Sequence, residues 1–214
     1  MAHRRENNLV RTGCFWLYHL VLIIVFTLAL IIIPIQKSRA ESTTHEFKKE
    51  NIMTLTLTSP SFSHKDMIPV KFTCDSQDIS PALSWSGVPD NTKSLVLIVD
   101  DPDAPDPSAP KMTWVHWVLY NIPPQASGLP ENVTANELPA GTLQGVNDWK
   151  RTGYGGPCPP IGIHRYFHKL YALDTVLPDL KHPTKLVLEK AMQGHIIGQT
   201  ELIGHYQRDQ HKLD

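Results

Sequence analysis

The chain has 214 residues and a formal net charge of −1, and its 18 prolines are its one unusual feature of composition. This length suits one domain of good size with an appendage. Five of the 20 basic and one of the 21 acidic residues precede Glu41, so the rest of the chain has a formal charge of −5. A basic patch for nucleic acid or anionic lipid is therefore not expected on the folded part.

The first 40 residues form the appendage. The run Phe15–Ile33 has no charged residue and, at about 19 residues, is long enough for an apolar helix to cross a bilayer. Arg4, Arg5 and Arg11 precede it and would keep the N-terminus in the cytoplasm. Two interpretations of this segment remain open: it is an uncleaved signal anchor, or it is a signal peptide cleaved after Ala40. Either predicts an exported domain, facing the periplasm or the cell exterior and, if uncleaved, anchored to the inner membrane by one helix.

Residues 41–51 are polar and are predicted to form a linker. A β-rich domain is predicted over 52–208, followed by a charged tail over 209–214. Strands are indicated where apolar residues alternate with polar ones or form short continuous runs. These segments are Met53–Thr58, Val70–Thr73, Leu83–Trp85, Ser94–Asp101, Trp114–Ile122, His164–Leu173 and His195–Gln207.

One helix is indicated in this domain, over Thr184–Gln193. Pro183 stands at its start, Gly194 follows its end, and Leu186, Ala191 and Met192 give it a partial apolar face. Six to eight strands with long connections predict an all-β sandwich with a short peripheral helix.

Three polar-aromatic clusters interrupt the predicted strands. They are Asp101–Pro105 (DPDAP), Thr113–Trp117 (TWVHW) and Gly153–His168 (GYGGPCPPIGIHRYFH). Each places an Asp or His where the chain should be buried, which costs free energy unless these groups pair with each other or with a ligand. The three clusters therefore predict one shared pocket, although an Asp that forms a turn and a His that fills a core are also common.

Strand periodicity predicts which side chains share a face. One face is expected to carry Trp114, His116, Val118 and Tyr120, and another His164, Tyr166, His168 and Leu170. The imidazoles of His116 and His164 would then converge, and Asp101 could hydrogen-bond to one of them. His164 and His168 would lie ~13 Å apart along a strand, so we expect no metal site and no cofactor.

The third cluster begins with a loop rich in Gly and Pro, the Gly-Pro loop. Gly153, Gly155 and Gly156 would allow close approach of the backbone and expose N–H groups as an anion cradle. The cysteines Cys74 and Cys158 can form a disulfide in an exported domain, or remain two free thiols. Cys14 directly precedes the apolar segment and cannot reach either.

These clusters, together with Ile79-Ser80-Pro81, closely resemble the phosphatidylethanolamine-binding protein family, in particular its bacterial YbhB/YbcL-type, Raf-kinase-inhibitor-like branch. The resemblance covers about Leu55–Gln207. It implies a sandwich of two antiparallel sheets with a small pocket for phosphate-type anions or phospho-headgroups. The ligand-binding positions that it implies are Asp101, Trp114, His116, Gly156, Pro157, His164 and Tyr166.

The hypothesis from sequence is an exported binding or regulatory module for a small anion or phospho-headgroup. Two alternatives stay open, namely a hydrolase with an Asp/His acid–base pair and an inhibitor that meets a partner protein through the pocket rim. For the hydrolase, the sequence shows no evident nucleophile. A homodimer and membrane attachment through the N-terminal helix are compatible with the sequence, whereas nucleic acid is not an expected partner.

Overall fold

The fold is that of a computed structural model, which describes residues 54–209. The predicted N-terminal helix, the linker 41–51 and nearly all of the charged tail lie outside the described residues. Within 54–209, no helix has the length and apolar character needed to cross a membrane.

Two antiparallel sheets form the domain, as predicted. The small sheet has the strand order β1-β2-β5 and the large sheet the order β6-β4-β3-β7-β8. Leu57 and Trp85 from the small sheet pack in one core with Leu97 and Trp117 from the large sheet. In chain order the strands are β1 (Thr56–Thr58), β2 (Leu83–Ser86), β3 (Ser94–Ala104), β4 (Met112–Ile122), β5 (Gly128–Leu129), β6 (Leu143–Gln144), β7 (His164–Leu173) and β8 (Ile196–Tyr206).

Strand β3 lies at the centre of the large sheet and is buried on both faces. Leu95, Leu97 and Val99 belong to the core between the sheets. Val96 and Ile98 belong to a second core on the outer face of the large sheet. This double burial explains why the segment is a continuous apolar run rather than an alternating one.

The predicted helix is confirmed as α1 (Lys185–Met192). Thr184 caps its N-terminus by accepting a hydrogen bond from the Val187 N–H, 3.4 Å from its Oγ1. Leu188 and Met192 pack into the second core, whereas Leu186 is 66 % exposed. The predicted apolar face was therefore wrong at Leu186.

The strand predicted over Val70–Thr73 is wrong. Val70–Phe72 forms a short 3₁₀ turn, in which the Phe72 N–H donates to the Pro69 carbonyl at 3.0 Å. The Phe72 side chain is buried in the core between the sheets. A run this short has too little periodicity to separate a strand from a turn.

The edge strand β8 is covered near its C-terminal end by the segment 65–68. The Lys65 N–H donates to the Ile203 carbonyl at 2.7 Å, the His205 N–H to the Asp66 carbonyl at 2.8 Å, and the Ile68 N–H to the His205 carbonyl at 2.7 Å. This segment therefore satisfies backbone groups that would otherwise stand open at the sheet edge.

Candidate ligand-binding site

A cavity of about 300 Å³ opens where β3, β4 and β7 meet the loops that follow β3 and precede β7. Four of the residues predicted for the pocket line it, namely Asp101, Trp114, His116 and His164. The remaining lining residues are Ala104, Pro105, Met112, Trp149, Cys158, Pro159 and Pro160.

A β-bulge in β4 places His116 in this cavity. Pairing with β3 shifts by one residue between Val99↔Trp117 and Asp100↔Val115, so His116 is the extra residue. Beyond the bulge, Trp117 and Leu119 face the core between the sheets, while Val118 and Tyr120 face the second core. The prediction that His116 shares a face with Val118 and Tyr120 was therefore wrong.

The β7 prediction is confirmed by burial. The side chains of His164, Tyr166, His168 and Leu170 are all buried on one face of the strand. Tyr166 lies behind the cavity between the two imidazoles, with ring centroids 5.2 Å from His116 and 6.4 Å from His164. Its hydroxyl is buried and has no hydrogen-bond partner within the described part of the chain.

The predicted hydrogen bond between Asp101 and an imidazole is confirmed, and the imidazole is that of His164. Its Nδ1 lies 2.7 Å from Oδ2 of Asp101, and its Nε2 lies 3.0 Å from the Ile161 carbonyl oxygen. Oδ1 of Asp101 accepts the Asp103 N–H at 2.8 Å. Burial raises the pKa of Asp101, and the hydrogen bonds from His164 and Asp103 oppose that shift only in part.

Asp103, two residues along β3, turns its carboxylate to Arg165 on the opposite side of β7. The guanidinium donates to both carboxylate oxygens, from Nε at 2.8 Å and from Nη2 at 2.6 Å. This bidentate pair holds the pKa of Asp103 below its usual value. The Arg165 charge is thereby bound to Asp103 and is not among the groups that line the cavity.

His116 is 2 % exposed and is held by one hydrogen bond, between its Nδ1 and the Gly155 carbonyl oxygen at 2.7 Å. Because a carbonyl oxygen only accepts, Nδ1 carries the hydrogen. Burial lowers the pKa of His116 to about 4, so the ring is neutral at pH 7. Its Nε2 is then a bare acceptor, and it has no partner among the described residues.

The sequence analysis missed Trp149, which forms one wall of the cavity. Its ring meets those of Trp114 and His116 edge-on, with centroids 5.4 Å and 5.1 Å away. It lies in an irregular loop without strand or helix period, so no periodicity could place it. The glycine at position 155 is the one sequence feature linked to this wall, because a Cβ there would lie 2.5 Å from the Trp149 ring.

Two of the three N–H groups predicted for an anion cradle in the Gly-Pro loop are used within the protein. The Gly155 N–H donates to the His116 carbonyl at 3.1 Å, and the Gly156 N–H to Oδ1 of Asp78 at 2.6 Å. Both N–H groups are therefore committed within the protein. Gly156 and Pro157 lie outside the cavity lining and serve to dock the loop.

The docking partner of this loop is the segment 72–78. A disulfide joins Cys74 to Cys158 with their Cα atoms 5.4 Å apart, and the Cys74 N–H donates to the Pro157 carbonyl at 3.1 Å. The Tyr154 hydroxyl donates to the Phe72 carbonyl at 3.0 Å. These links position Cys158 and the prolines after it at the cavity wall.

The cavity is lined mainly by apolar and aromatic side chains, which surround a few polar groups. Trp114 Nε1–H, a donor, and His116 Nε2, an acceptor, are both buried without a hydrogen-bond partner in the described residues. No lysine or arginine is among the described residues that line the cavity. Residues 54–209 contain no cluster of three or more metal-ligating side chains.

The two antiparallel sheets form a sandwich with a small cavity at one end. This architecture is that of a binding-type β domain. Residues 58–207 match the family model described as "Phosphatidylethanolamine-binding protein", and the chain belongs to this family. The resemblance found in the sequence is thereby confirmed.

Relatives in archaea and bacteria support this assignment. A UPF0098 protein of Methanothermobacter thermautotrophicus is 51 % identical over 155 residues, covering 72 % of this chain and 99 % of that protein. A phosphatidylethanolamine-binding protein homologue from Chlamydia trachomatis has a solved structure with 44 % identity and a TM-score of 0.68, covering 73 % of this chain and 99 % of that one. Escherichia coli YbcL, described as a member of the mammalian PEBP family, has 31 % identity and a TM-score of 0.66, covering 72 % and 99 %.

Proposed function

We propose that this domain binds small phosphate-type anions or phospho-headgroups in the cavity between Asp101, Trp114, His116 and His164. The observation that carries this proposal is the pair of buried, unpartnered polar atoms, Trp114 Nε1 and His116 Nε2. A buried polar group left without a partner costs about 1–3 kcal/mol. A ligand that supplies oxygen atoms and a hydrogen-bond donor would recover this free energy.

The size and walls of the cavity support a small ligand. About 300 Å³ is at the lower end of the range for small-molecule sites. The indole rings of Trp114 and Trp149 provide apolar walls, and Asp101, His116 and His164 bring polar groups to the lining. The name of the family points to a phospho-headgroup as one ligand of this kind.

The one acidic side chain of the described cavity lining gives a zwitterionic ligand a position for its cationic group. Asp101 is the only acidic side chain among the described lining residues, and it is hydrogen-bonded to His164. An ammonium group near Asp101 and a phosphate near Trp114 and His116 would match this arrangement. Phosphoethanolamine carries both groups.

A hydrolase is less well supported than a binding protein. Among the described residues that line the cavity there is no serine, threonine or lysine, and the sulfur of Cys158 is in a disulfide. Nucleophilic catalysis requires such a group beside a base. The pair of Asp101 and His164 therefore has no hydroxyl, amine or free thiol to activate among the described lining residues. Export of the domain, with the N-terminal segment as anchor or signal peptide, is part of the same proposal and rests on the sequence alone.

Titration calorimetry of the full-length chain with phosphate and phosphoethanolamine tests this proposal. We expect binding by the wild type and loss of at least tenfold in affinity in a His116→Ala, His164→Ala double variant. Trp114→Phe removes only the indole N–H and should weaken binding by a smaller factor. His195→Ala is the matched control, because this exposed imidazole lies at the opposite end of the large sheet. Equal binding by the wild type and the double variant would exclude this cavity.

A further inference from the structure

The segment 65–68 covers only part of the edge strand β8. The backbone groups of Ile203 and His205 point away from β7 and bind this segment. Because the direction of these groups alternates along a strand and the register is regular here, those of Gln199 and Glu201 point the same way. Both residues are exposed, and their outward N–H and C=O groups have no hydrogen bond within residues 54–209. Two donors and two acceptors therefore stand in a row.

This open edge, residues 196–202, has few of the features that usually protect a sheet edge. It contains no proline and one charged residue, Glu201, and Ile196 and Ile197 are 43 % and 39 % exposed. An open edge with exposed apolar side chains favours pairing with another strand. A cavity of about 290 Å³, lined by side chains of β7 and β8, lies beside it and leaves room for the side chains of an added strand.

The side chains of the open edge divide between two faces. Gln199 and Glu201 pair with Tyr171 and Lys169 of β7, and Tyr171 packs against the second core on the outer face of the large sheet. Thr200, between them, lies on the face of the core between the sheets, since its partner in β7, Leu170, belongs to that core. An added strand therefore meets Gln199 and Glu201 on one face and Thr200 on the other.

These residues are complementary to themselves. Two copies that pair antiparallel about a two-fold axis at Thr200 bring Gln199 opposite Glu201 of the second copy, and the reverse. Each such pair exchanges two backbone hydrogen bonds, so all the outward groups of both residues find partners. The amide of Gln199 can donate to the carboxylate opposite it, and Thr200 meets its own copy, which is a favourable cross-strand pair.

The neighbouring registers match less well. With the axis at Gln199, the carboxylate of Glu201 faces the apolar side chain of Ile197. With the axis at Glu201, two carboxylates meet, which is unfavourable, and Gln199 faces Ile203, whose backbone carbonyl is already bound by the Lys65 N–H. The axis at Thr200 is therefore the favoured register.

We propose that β8 pairs edge to edge with β8 of a second copy about a two-fold axis at Thr200, which joins the two five-stranded sheets into one. The segment 65–68 ends the pairing beyond Leu202. Because a two-fold axis uses this edge of both copies, the assembly closes as a dimer. No residue of the open edge lines the cavity, so the inference is independent of the proposed function.

A charge-swap cycle on the full-length chain in a non-ionic detergent tests the pairing and its register, with the mass measured by sedimentation velocity. We expect a dimer for the wild type. Gln199→Glu places carboxylates opposite each other and should weaken dimerisation at least tenfold. Adding Glu201→Lys creates two pairs of opposite charge and should restore the dimer, whereas with the axis at Gln199 the introduced carboxylates would still meet. Gln77→Glu, the same change at an exposed loop position, is the control.

A disulfide trap tests the same geometry independently. In a Cys14→Ala background the chain has no other free thiol, because Cys74 and Cys158 are bridged. Thr200→Cys should give a covalent dimer with oxidised glutathione, since Cα atoms of such an opposite pair lie about 4.5 Å apart. Glu201→Cys should not, because its two copies would be offset along the strands and lie more than ~7 Å apart.

Two results would overturn the inference. One is a wild-type chain that stays monomeric at every concentration. The other is a dimer that Gln199→Glu leaves intact and that Thr200→Cys does not trap, because such a dimer uses another surface. The wild-type mass and the disulfide trap decide the question even if the double charge variant does not fold.

Discussion

Asp100 and Asp101 are neighbours in β3, and their carboxylates lie on opposite sides of the large sheet. Asp101 turns to His164 beside the cavity. Asp100 turns to the outer face, where Lys169 of β7 and Lys185 of α1 both bind it, at 2.8 Å and 2.6 Å. The strand thus carries a candidate binding group and a structural anchor on consecutive residues.

The ion pairs of Asp100 with Lys169 and Lys185 predict that substitutions of Asp100 and of Lys185 lower stability by unequal amounts. Asp100→Asn removes the carboxylate partner of Lys169 and leaves Lys185 with only Glu189, 3.6 Å away. It should lower the free energy of unfolding by about 3–5 kcal/mol. Lys185→Met should cost less, because Asp100 keeps Lys169. Urea denaturation measures both. Lys181→Met removes an exposed ion pair and serves as control, with an expected change under about 1 kcal/mol. Equal losses in Asp100→Asn and Lys185→Met would contradict this account.

Two buried imidazoles predict that the domain loses stability in mild acid. Burial lowers the pKa of His116 and of His168 to about 4, against about 6.5 in an unfolded chain. Between these values the unfolded chain binds protons that the folded chain does not. The free energy of unfolding therefore falls as the pH drops from 6.5 towards 4, by about 3 kcal/mol for each imidazole.

A variant separates this effect from general acid unfolding. His168→Phe keeps an aromatic ring against Phe62 and removes one titrating group. Urea denaturation at pH 7.5 and 4.5 should show a loss smaller by about 3 kcal/mol than in the wild type. His182→Ala, at an exposed position, is the control. A pH dependence that His168→Phe leaves unchanged would refute the assignment.

The disulfide predicts a stability difference that depends on reduction. Cys74 and Cys158 are 84 residues apart in the chain, so the bridge restricts a large part of the unfolded ensemble. Its removal in a Cys74→Ala, Cys158→Ala variant should cost about 2–4 kcal/mol. The wild type should lose a similar amount on adding reductant, measured as a lower Tm. The double variant should not respond to reductant, and a wild type that also fails to respond would contradict the prediction.

The docking of the Gly-Pro loop predicts a strong effect at one glycine. A Cβ on Gly156 would lie 2.3 Å from the Phe72 carbonyl oxygen and 2.7 Å from Oδ1 of Asp78. Gly156→Ala should therefore lower stability by about 1–3 kcal/mol and weaken phosphate binding by moving Cys158. Thermal unfolding and calorimetry measure the two effects. Gly153→Ala, where no atom lies within 4 Å, is the control, and its cost should come from its positive φ alone.

The long strands could be predicted from sequence because their burial leaves a pattern, whereas the two-residue strands β5 and β6 were not predicted. The double burial of Leu95–Val99 makes a continuous apolar run, and the one-sided burial of β7 makes an alternating one. The pairing of Asp101 with an imidazole could also be predicted, since two buried ionisable groups need each other. The family motifs then indicated which segments meet.

The details of the site could not be predicted, for physical reasons. A bulge at His116 adds one residue without changing the composition of β4, so the faces of the residues from Trp117 to Tyr120 are misassigned. The use of the Gly156 N–H by Asp78 depends on a contact 78 residues away in the chain. Trp149 reaches the cavity from an irregular loop. Each depends on tertiary contacts that local sequence does not encode.

The segment 65–68 that covers the edge of β8 has a consequence for shortened forms of the domain. A form that begins at Val70 would lose this cover, and the backbone N–H and C=O groups of Ile203 and His205 would be free to pair with another chain. Exposed sheet edges of this kind promote intermolecular strand pairing and aggregation. The segment 65–68 thus protects this part of the edge against self-association, although it is far in sequence from β8, the strand that it covers.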